Sequence, residues 1–401
     1  MSEAEPFDLR IICAPGLETM LRDEVQAILA VRSGPPAPGP PVARREGGRN
    51  EGWRVDVGGL ELPVDAAGLR DVVLHSRIAE SWRVLALRGR AAGPVELERQ
   101  LRRVAWASWL PPERPLRIDA SCRKSRIYHS GLAIDRTEKA ITRALGPRTF
   151  VREIDTDPVH IWLRIEHDEL ELRLEAGPPR GHRRGWRSHV GAAPLRETLA
   201  AALLRAAGIC GAGLPKLKPG AVLADPFCGS GTLLLEALDA DRGQAPQRVG
   251  ALGIDVLPAL EAASSRGARR SAASGETDVA PTAAQAMGSD RDAAAIAAAQ
   301  HNAVAAGLAE RCRWRTQDVA AAVAALPPGS VVVSNLPYGL RTDDDAVRSL
   351  RAFAAALRKR SDLGPAFVLD GGLAASAGIQ GQQVLHLRHG GLAVRWLRLN
   401  R

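Results

Sequence analysis

The stretch Leu223-Ala224-Asp225-Pro226-Phe227-Cys228-Gly229-Ser230-Gly231-Thr232-Leu233-Leu234-Leu235-Glu236 constrains the 401-residue chain more than any other. The apolar run from Ala221 to Ala224 reads as a buried parallel strand. A turn of small residues follows, and then an apolar stretch that reads as a helix. Such a strand, loop and helix N-terminus form a standard site for a nucleotide-like ligand. The glycines let the ligand approach the backbone, and the loop amides point at it. Two fingerprints are excluded. The dinucleotide pattern wants a third glycine at position 234, where Leu234 stands, and the phosphate loop wants Gly-Lys-Ser/Thr. A cofactor without a phosphate chain fits instead, and S-adenosylmethionine is the expected one. Taken alone, the loop could still be a tight turn in an ordinary α/β protein.

A chain of this length is comfortable for two or three domains. Its five cysteines are scattered with no C-x-x-C, which argues for reduced thiols in the cytoplasm and against a zinc site. No apolar run is long enough to span a bilayer, and the N-terminus lacks a basic, apolar signal sequence. The expectation is a cytoplasmic protein with no membrane or metal partner and no required oligomer. The formal net charge of +9, with a pI near 9.9, makes a polyanionic partner plausible. Where the arginines cluster is more informative than their sum.

Phe7 to Cys13 reads as a strand, Leu17 to Leu29 as a helix, and Ser33 to Asn50 as a loop dense in Pro and Gly. A strand at Trp53 to Val57, a helix from Leu69 to Ile78 and a strand from Trp82 to Leu87 follow. Residues 1–75 are therefore expected to form a small α+β sandwich of ferredoxin-like type. In residues 76–177 an arginine-rich helix spans Val95 to Trp109 and a strand runs from Leu116 to Ala120. A basic turn containing Arg123, Lys124 and Arg126 comes next, then a helix to Leu145 and two strands, Val159 to Ile165 and Glu169 to Leu174. Residues 178–192 form a basic linker with Arg180, Arg183, Arg184 and Arg187 around Trp186. The arginines are read as RNA contacts in preference to a solvated linker, and Trp186 as a plug between domains.

The domain expected over 193–401 begins with a helix opened by Pro194. An acid after its second strand should take ribose hydroxyls of the cofactor. Asp255 and Asp290 compete for that role. Asp290 opens a helical stretch and then a strand, Cys312 to Arg315, so the strand-acid-helix-strand unit closes with it. Residues 239–285 then become an insertion, partly disordered around Ser264 to Pro281. Asp318 is placed either to accept from the adenine amino group or to cap the next helix. The cofactor set is Asp225, Phe227, Gly229, Gly231, Thr232, Asp290 and Asp318.

Val331 to Val333 forms the next buried strand and leads into Ser334-Asn335-Leu336-Pro337-Tyr338-Gly339. An amine on a purine ring is a poor nucleophile because its lone pair is delocalised. Two acceptors on its hydrogens can aim that lone pair at a methyl carbon. The Asn335 side-chain oxygen and the Leu336 carbonyl are assigned this task. Pro337 keeps residue 336 extended, and Tyr338 is assigned to stack on the flipped base. A Pro-Tyr-Gly turn ending a strand would be common by itself. A strand from Pro365 to Asp370 and a hairpin around His389-Gly390-Gly391 complete the expected Rossmann-like sheet, its last strand antiparallel.

The pair of motifs resembles the class I methyltransferases that act on exocyclic amines, with their D-P-x-C-G-S-G-T and N-P-P-Y/F; here Leu336 replaces the first proline. Residues 76–177 resemble a THUMP domain, an RNA-binding module. Over nearly its full length the chain resembles the THUMP-containing guanine-N2 RNA methyltransferases, in particular the RlmL type that modifies large-subunit ribosomal RNA. The segments that carry this likeness include Ala14-Pro15-Gly16-Leu17-Glu18 and Ala193-Pro194-Leu195-Arg196-Glu197-Thr198-Leu199-Ala200. The resemblance implies methylation of guanosine N2 in structured RNA, with ribosomal RNA favoured. A transfer-RNA guanine-N2 enzyme and a DNA adenine-N6 methylase remain as alternatives.

Overall fold

Alternating apolar residues place two seven-stranded sheets in the chain, in two compact units. The computed structural model describes residues 6–32, 52–153, 157–178, 180–187, 189, 195–211, 217–243, 245–246, 252–267, 284–337, 344–389 and 391–400. The first unit comprises residues 1–13, 28–181 and 249–275, and the second comprises 14–27, 182–248 and 276–401.

The strands of the first unit are β1 (Phe7–Ile12), β2 (Arg54–Asp56), β3 (Gly59–Val64), β4 (Ser81–Arg90), β5 (Leu116–Arg123), β6 (Val159–Glu166) and β7 (Glu169–Glu175). They lie in the order β2-β3-β1-β4-β7-β6-β5, and only the β5–β6 pair is parallel. The boundary expected near residue 75 therefore falls inside a continuous sheet, since β4 pairs with both β1 and β7. β3 was not foreseen; Pro63 interrupts the pairing signal of an otherwise alternating run.

In chain order the helices are α1 (Glu18–Arg32), α2 (Ala66–His75), α3 (Pro94–Leu101), α4 (Trp106–Trp109) and α5 (Ser130–Leu145). The single helix expected over 95–109 breaks into α3 and α4. The Trp106 indole donates to the Leu101 carbonyl at 3.1 Å, and both side chains are buried across the break. Part of the expected insertion belongs with this unit as α8 (Gly253–Val256) and α9 (Pro258–Gly267), α9 packing on α2 and α4. The Ile254 N–H donates to the Ala176 carbonyl at 2.8 Å, and Arg70 pairs with Asp255 at 2.6 Å.

In the second unit β8 (Val222–Asp225), β9 (Gln285–Asp290), β10 (Cys312–Thr316), β11 (Val331–Asn335) and β12 (Ala366–Asp370) are parallel. β13 (Gly381–His389) and β14 (Leu392–Leu399) close the sheet as an antiparallel hairpin. The spatial order is β10-β9-β8-β11-β12-β14-β13. Helices α6 (Glu197–Ala206), α7 (Thr232–Asp241), α10 (Ala293–Ala305), α11 (Val319–Ala324) and α12 (Asp344–Arg358) connect and cover the strands. The order reverses between β8 and β11, so the crevice for a ligand opens at the carboxyl ends of those two strands. The expected helix start at Pro194, the loop at 33–50 and most of the Ser264–Pro281 stretch lie outside the described residues.

The Ala14–Glu18 motif, although N-terminal in sequence, counts with the second unit. Gly16 has φ +97°, and a β-carbon there would lie 3.1 Å from the His386 carbonyl of β13. The Glu18 carboxylate accepts from the Gly16 N–H at 3.0 Å.

Candidate active site

The loop after β8 is shaped by Asp225, whose carboxylate points inward. Its Oδ1 accepts from the Phe227 N–H at 3.0 Å and from the Ser334 hydroxyl at 2.5 Å. Burial pushes the Asp225 carboxyl up to about 7, against the pull of those two donors. Asp225 thus holds the loop in shape. Phe227 lies edge-on to Phe353 at 5.4 Å between ring centroids and packs against the core cluster under β11 and α12.

Gly229 and Gly231 have φ +50° and +83°. Their reasons differ. Nothing stands within 4 Å of a β-carbon at Gly229, so its backbone is open to an approaching ligand. At Gly231 a β-carbon would come within 2.7 Å of the Trp314 ring, which also overlies Gly288 of β9. Trp314 on β10 thus dictates two glycines beside the loop, and its role was not foreseen because nothing local in sequence links it to them. Thr232 is buried in the first turn of α7. Burial beside Asp225 and Asp290 pushes the Cys228 thiol well above its ordinary range, so it offers no thiolate near neutrality.

Asp290 ends β9 next to this loop. Its two oxygens accept from the Gly229 N–H and the Asp292 N–H, each at 3.0 Å. Each oxygen retains a lone pair, which suits the ribose hydroxyls expected there. Asp255 lies on α8, pairs with Arg70 at 2.6 Å and ends no strand of the second sheet. Asp318 caps α11, its Oδ1 accepting from Ala320 and Ala321 at 2.9 and 3.0 Å. The residue is exposed and, among the described residues, its Oδ2 takes no hydrogen bond, so the cap leaves one oxygen available.

Asn335 stands at the end of β11, paired in register with Leu369 of β12. Its Oδ1 is buried and is the one buried side-chain acceptor among the described residues without a hydrogen-bond partner. A buried acceptor left unmatched carries a desolvation penalty of about 1–3 kcal/mol, which a donor from a ligand would relieve. Leu336 explains the departure from N-P-P-Y. Its N–H donates to the Leu369 carbonyl at 3.1 Å, extending the ladder in a way proline could not, and its side chain is buried in the core cluster. Pro337 follows. Tyr338 lies outside the described residues.

The sequence-predicted RNA contacts divide. Arg123 ends β5 and Lys124 and Arg126 lie on the turn after it; all three are exposed, as is Tyr128. Arg183 is exposed and Arg180 half-buried. Arg184 and Arg187 are corrections. Arg184 has no exposed side-chain surface and pairs at 3.2 Å with Glu236 of α7, itself fully buried. Arg187 pairs with Glu197 at 3.1 Å and donates to the Leu195 carbonyl at 2.7 Å. Both arginines are consumed in fixing residues 182–189 to α6 and α7. Trp186 between them is buried within the same unit. Asn302 of α10 completes this anchorage, donating to the carbonyls of Ser230 and His189 at 3.1 Å each.

The open Gly229 backbone, Asp290 and the unpartnered Asn335 oxygen fit S-adenosylmethionine, which when bound supplies an activated methyl group on its sulfonium. The chain's own share would be to orient: the loop and Asp290 would hold the cofactor, while Asn335 Oδ1 and the Leu336 carbonyl are acceptors that an amine could meet. Among the described residues there is no group of three His, Cys, Asp or Glu side chains that could hold a metal, and no helix long and apolar enough to cross a membrane.

A sheet ordered 3-2-1-4-5-7-6 with an antiparallel strand 7, carrying a Gly-rich loop after strand 1 and an Asn at the end of strand 4, defines a class I methyltransferase domain that uses S-adenosylmethionine. Residues 184–362 match the model of the family described as the RMKL-like methyltransferase domain (UPF0020).

The chain is 32% identical over 348 residues to the ribosomal RNA large subunit methyltransferase K/L of Syntrophotalea carbinolica. That match covers 81% of this chain and 47% of the relative, so the chain spans about half the relative's length. SMU.472, described as a methyltransferase and crystallised with SAH, shares the fold at a TM-score of 0.74 and 19% identity, over 99% of this chain and 98% of that one. TrmN from Thermus thermophilus shares it at 0.67 and 21% identity, over 98% and 99%.

Proposed function

We propose that this protein transfers a methyl group from S-adenosylmethionine to the exocyclic N2 amine of a guanosine in RNA, and that its RNA is large-subunit ribosomal RNA. The observation that carries the reading is the buried, unpartnered Asn335 Oδ1 beside the cofactor loop. A purine amine has two hydrogens, and the two acceptors at Asn335 and Leu336 match them. Holding both draws the nitrogen lone pair out of conjugation and aims it at the methyl carbon, with no strong base needed. Tyr338 serves as the stacking platform for the flipped base. The RNA class is supported by the name of the Syntrophotalea relative and by the exposed basic turn at Arg123, Lys124 and Arg126 in a THUMP-like unit. A cytoplasmic location follows from that substrate.

The test is nucleoside mass spectrometry on ribosomal RNA, transfer RNA and DNA from a deletion strain, with methylation restored in vitro by the purified protein. Loss of N2-methylguanosine from large-subunit RNA alone is expected. Loss from transfer RNA would move the substrate, and loss of N6-methyladenine from DNA would overturn the base.

A further inference from the structure

The first unit has an open sheet face that carries charge where its opposite face carries core. Side chains of β1, β4, β5, β6 and β7 line a cleft there of about 170 Å³. Four guanidinium groups (Arg10, Arg83, Arg164 and Arg173) meet two carboxylates, Asp119 and Glu171. Both carboxylates are already matched. Asp119 pairs with Arg117 and His160 at 3.0 and 2.6 Å, and Glu171 with Arg88 and Arg173 at 2.9 and 3.2 Å.

Three of the four arginines are matched as well. Arg10 pairs with Asp56 at 2.8 Å, Arg164 with Glu166, and Arg173 with Glu61 at 2.6 Å. Arg83 differs. Its Nε donates to the Ser81 hydroxyl at 2.9 Å and its guanidinium lies 3.5 Å from the Trp162 ring centroid; among the described residues no carboxylate is within ion-pair distance of it, although the buried Glu175 stands opposite it across β4 and β7. Burial pushes it down to about 10, helped by Arg10 and Arg173 and opposed by Glu175 and Asp119.

The shape of the cleft narrows the ligand. The Trp162 ring already has two neighbours, Arg83 over it at 3.5 Å and His160 stacked at 4.0 Å, so it is not a free platform for a base. The cleft volume is about 170 Å³. It falls short of the ~300–1,000 Å³ that encloses a whole small molecule. A single tetrahedral oxyanion fits, and the planar fork of an arginine matches two of its oxygens. Ser121, exposed at the end of β5, adds a hydroxyl at the rim.

We propose that this cleft is a phosphate-binding subsite, and that it holds one backbone phosphate of the RNA strand with Arg83 as its central donor. The proposal rests on the reading of the protein as RNA-acting. It adds a point of purchase on the N-terminal unit that is separate from the basic turn at Arg123.

The test uses the full-length protein and a fluorescent fragment of structured ribosomal RNA, titrated over a series of KCl concentrations. Arg83→Gln should weaken binding about tenfold and lower the log–log salt slope by about 0.7–0.9, the loss of one phosphate contact. Ser121→Glu, an exposed change that spares the packing around Trp162, should weaken binding in the same way. Arg102→Gln, at the exposed C-terminal cap of α3, should change neither slope nor affinity by that amount. If wild type binds no RNA, the functional reading itself fails. If wild type binds and both cleft variants keep its slope and affinity, the subsite is wrong. Titration with inorganic phosphate separates the sources: phosphate bound by wild type, with RNA slopes unchanged in both variants, marks a free-anion site and overturns the assignment to RNA.

Discussion

The Ser334 hydroxyl donates to the Asp225 carboxylate at 2.5 Å, joining the strand that ends in the Asn335 acceptor to the strand that starts the cofactor loop. Both residues are buried, at 0% and 2% exposure, so water cannot substitute for either partner. One hydrogen bond thus sets the cofactor loop and the amine acceptor in a common frame. Ser334→Ala removes one of the two donors to a buried carboxyl. It should lower stability by about 1–3 kcal/mol in urea denaturation and raise the KM for S-adenosylmethionine, with Ser334→Thr restoring part of both.

The raised Asp225 carboxyl makes a pH prediction with a definite sign. Its ordinary value is 3.8 and its value in the fold is about 7, so between those limits the folded protein holds a proton that the unfolded chain has lost. Stability from this group is present below pH 4 and is lost as pH rises through about 7. Asp225→Asn keeps an acceptor for Ser334 and Phe227 without the charge. Urea midpoints at pH 5 and 8 should fall less for this variant than for wild type, and the variant should be the more stable of the two at pH 8.

Asp290 and Asp255 separate the two candidate acids. Asp290→Ala should weaken S-adenosylmethionine binding about tenfold or more in isothermal titration, since each lost charged hydrogen bond costs roughly 1.5–3 kcal/mol. Asp255→Ala should leave it unchanged, because that carboxylate pairs with Arg70 in the other unit.

Arg183 and Arg184 are adjacent in sequence and opposite in role. Arg184→Ala strands the fully buried Glu236 and should cost about 3–5 kcal/mol, read as a loss of thermal stability. Arg183→Ala should leave the melting temperature in place and lower RNA affinity, since its side chain is exposed.

Those two arginines also show what the sequence could and could not disclose. The strand, loop and helix around Gly229 were legible because glycine spacing and an uninterrupted apolar run are local signals. The same holds for Asn335, set at the end of a Val-Val-Val strand. Arg184 and Arg187 read as a basic cluster because their partners, Glu236 and Glu197, lie too far along the chain to be matched without the fold. Trp314 was missed for the same reason: only the β9–β10 pairing brings it over Gly288. Residues 252–267 read as an insertion into the methyltransferase domain, whereas backbone bonds from Gly253 and Ile254 to Gly177 and Ala176 place them with the first unit. Leu336 stood out as a departure from a motif; its reason, an N–H needed by Leu369, is a tertiary fact.

The central claim is that Asn335 acts on the amine and not on the cofactor. Asn335→Ala removes one acceptor and leaves Gly229, Gly231 and Asp290 untouched. Cofactor affinity should be kept, while the single-turnover rate on a guanosine-containing RNA fragment falls by roughly a hundredfold or more, the usual cost of losing one preorganised polar group. A near-normal single-turnover rate in Asn335→Ala, with cofactor and RNA bound, would contradict the account.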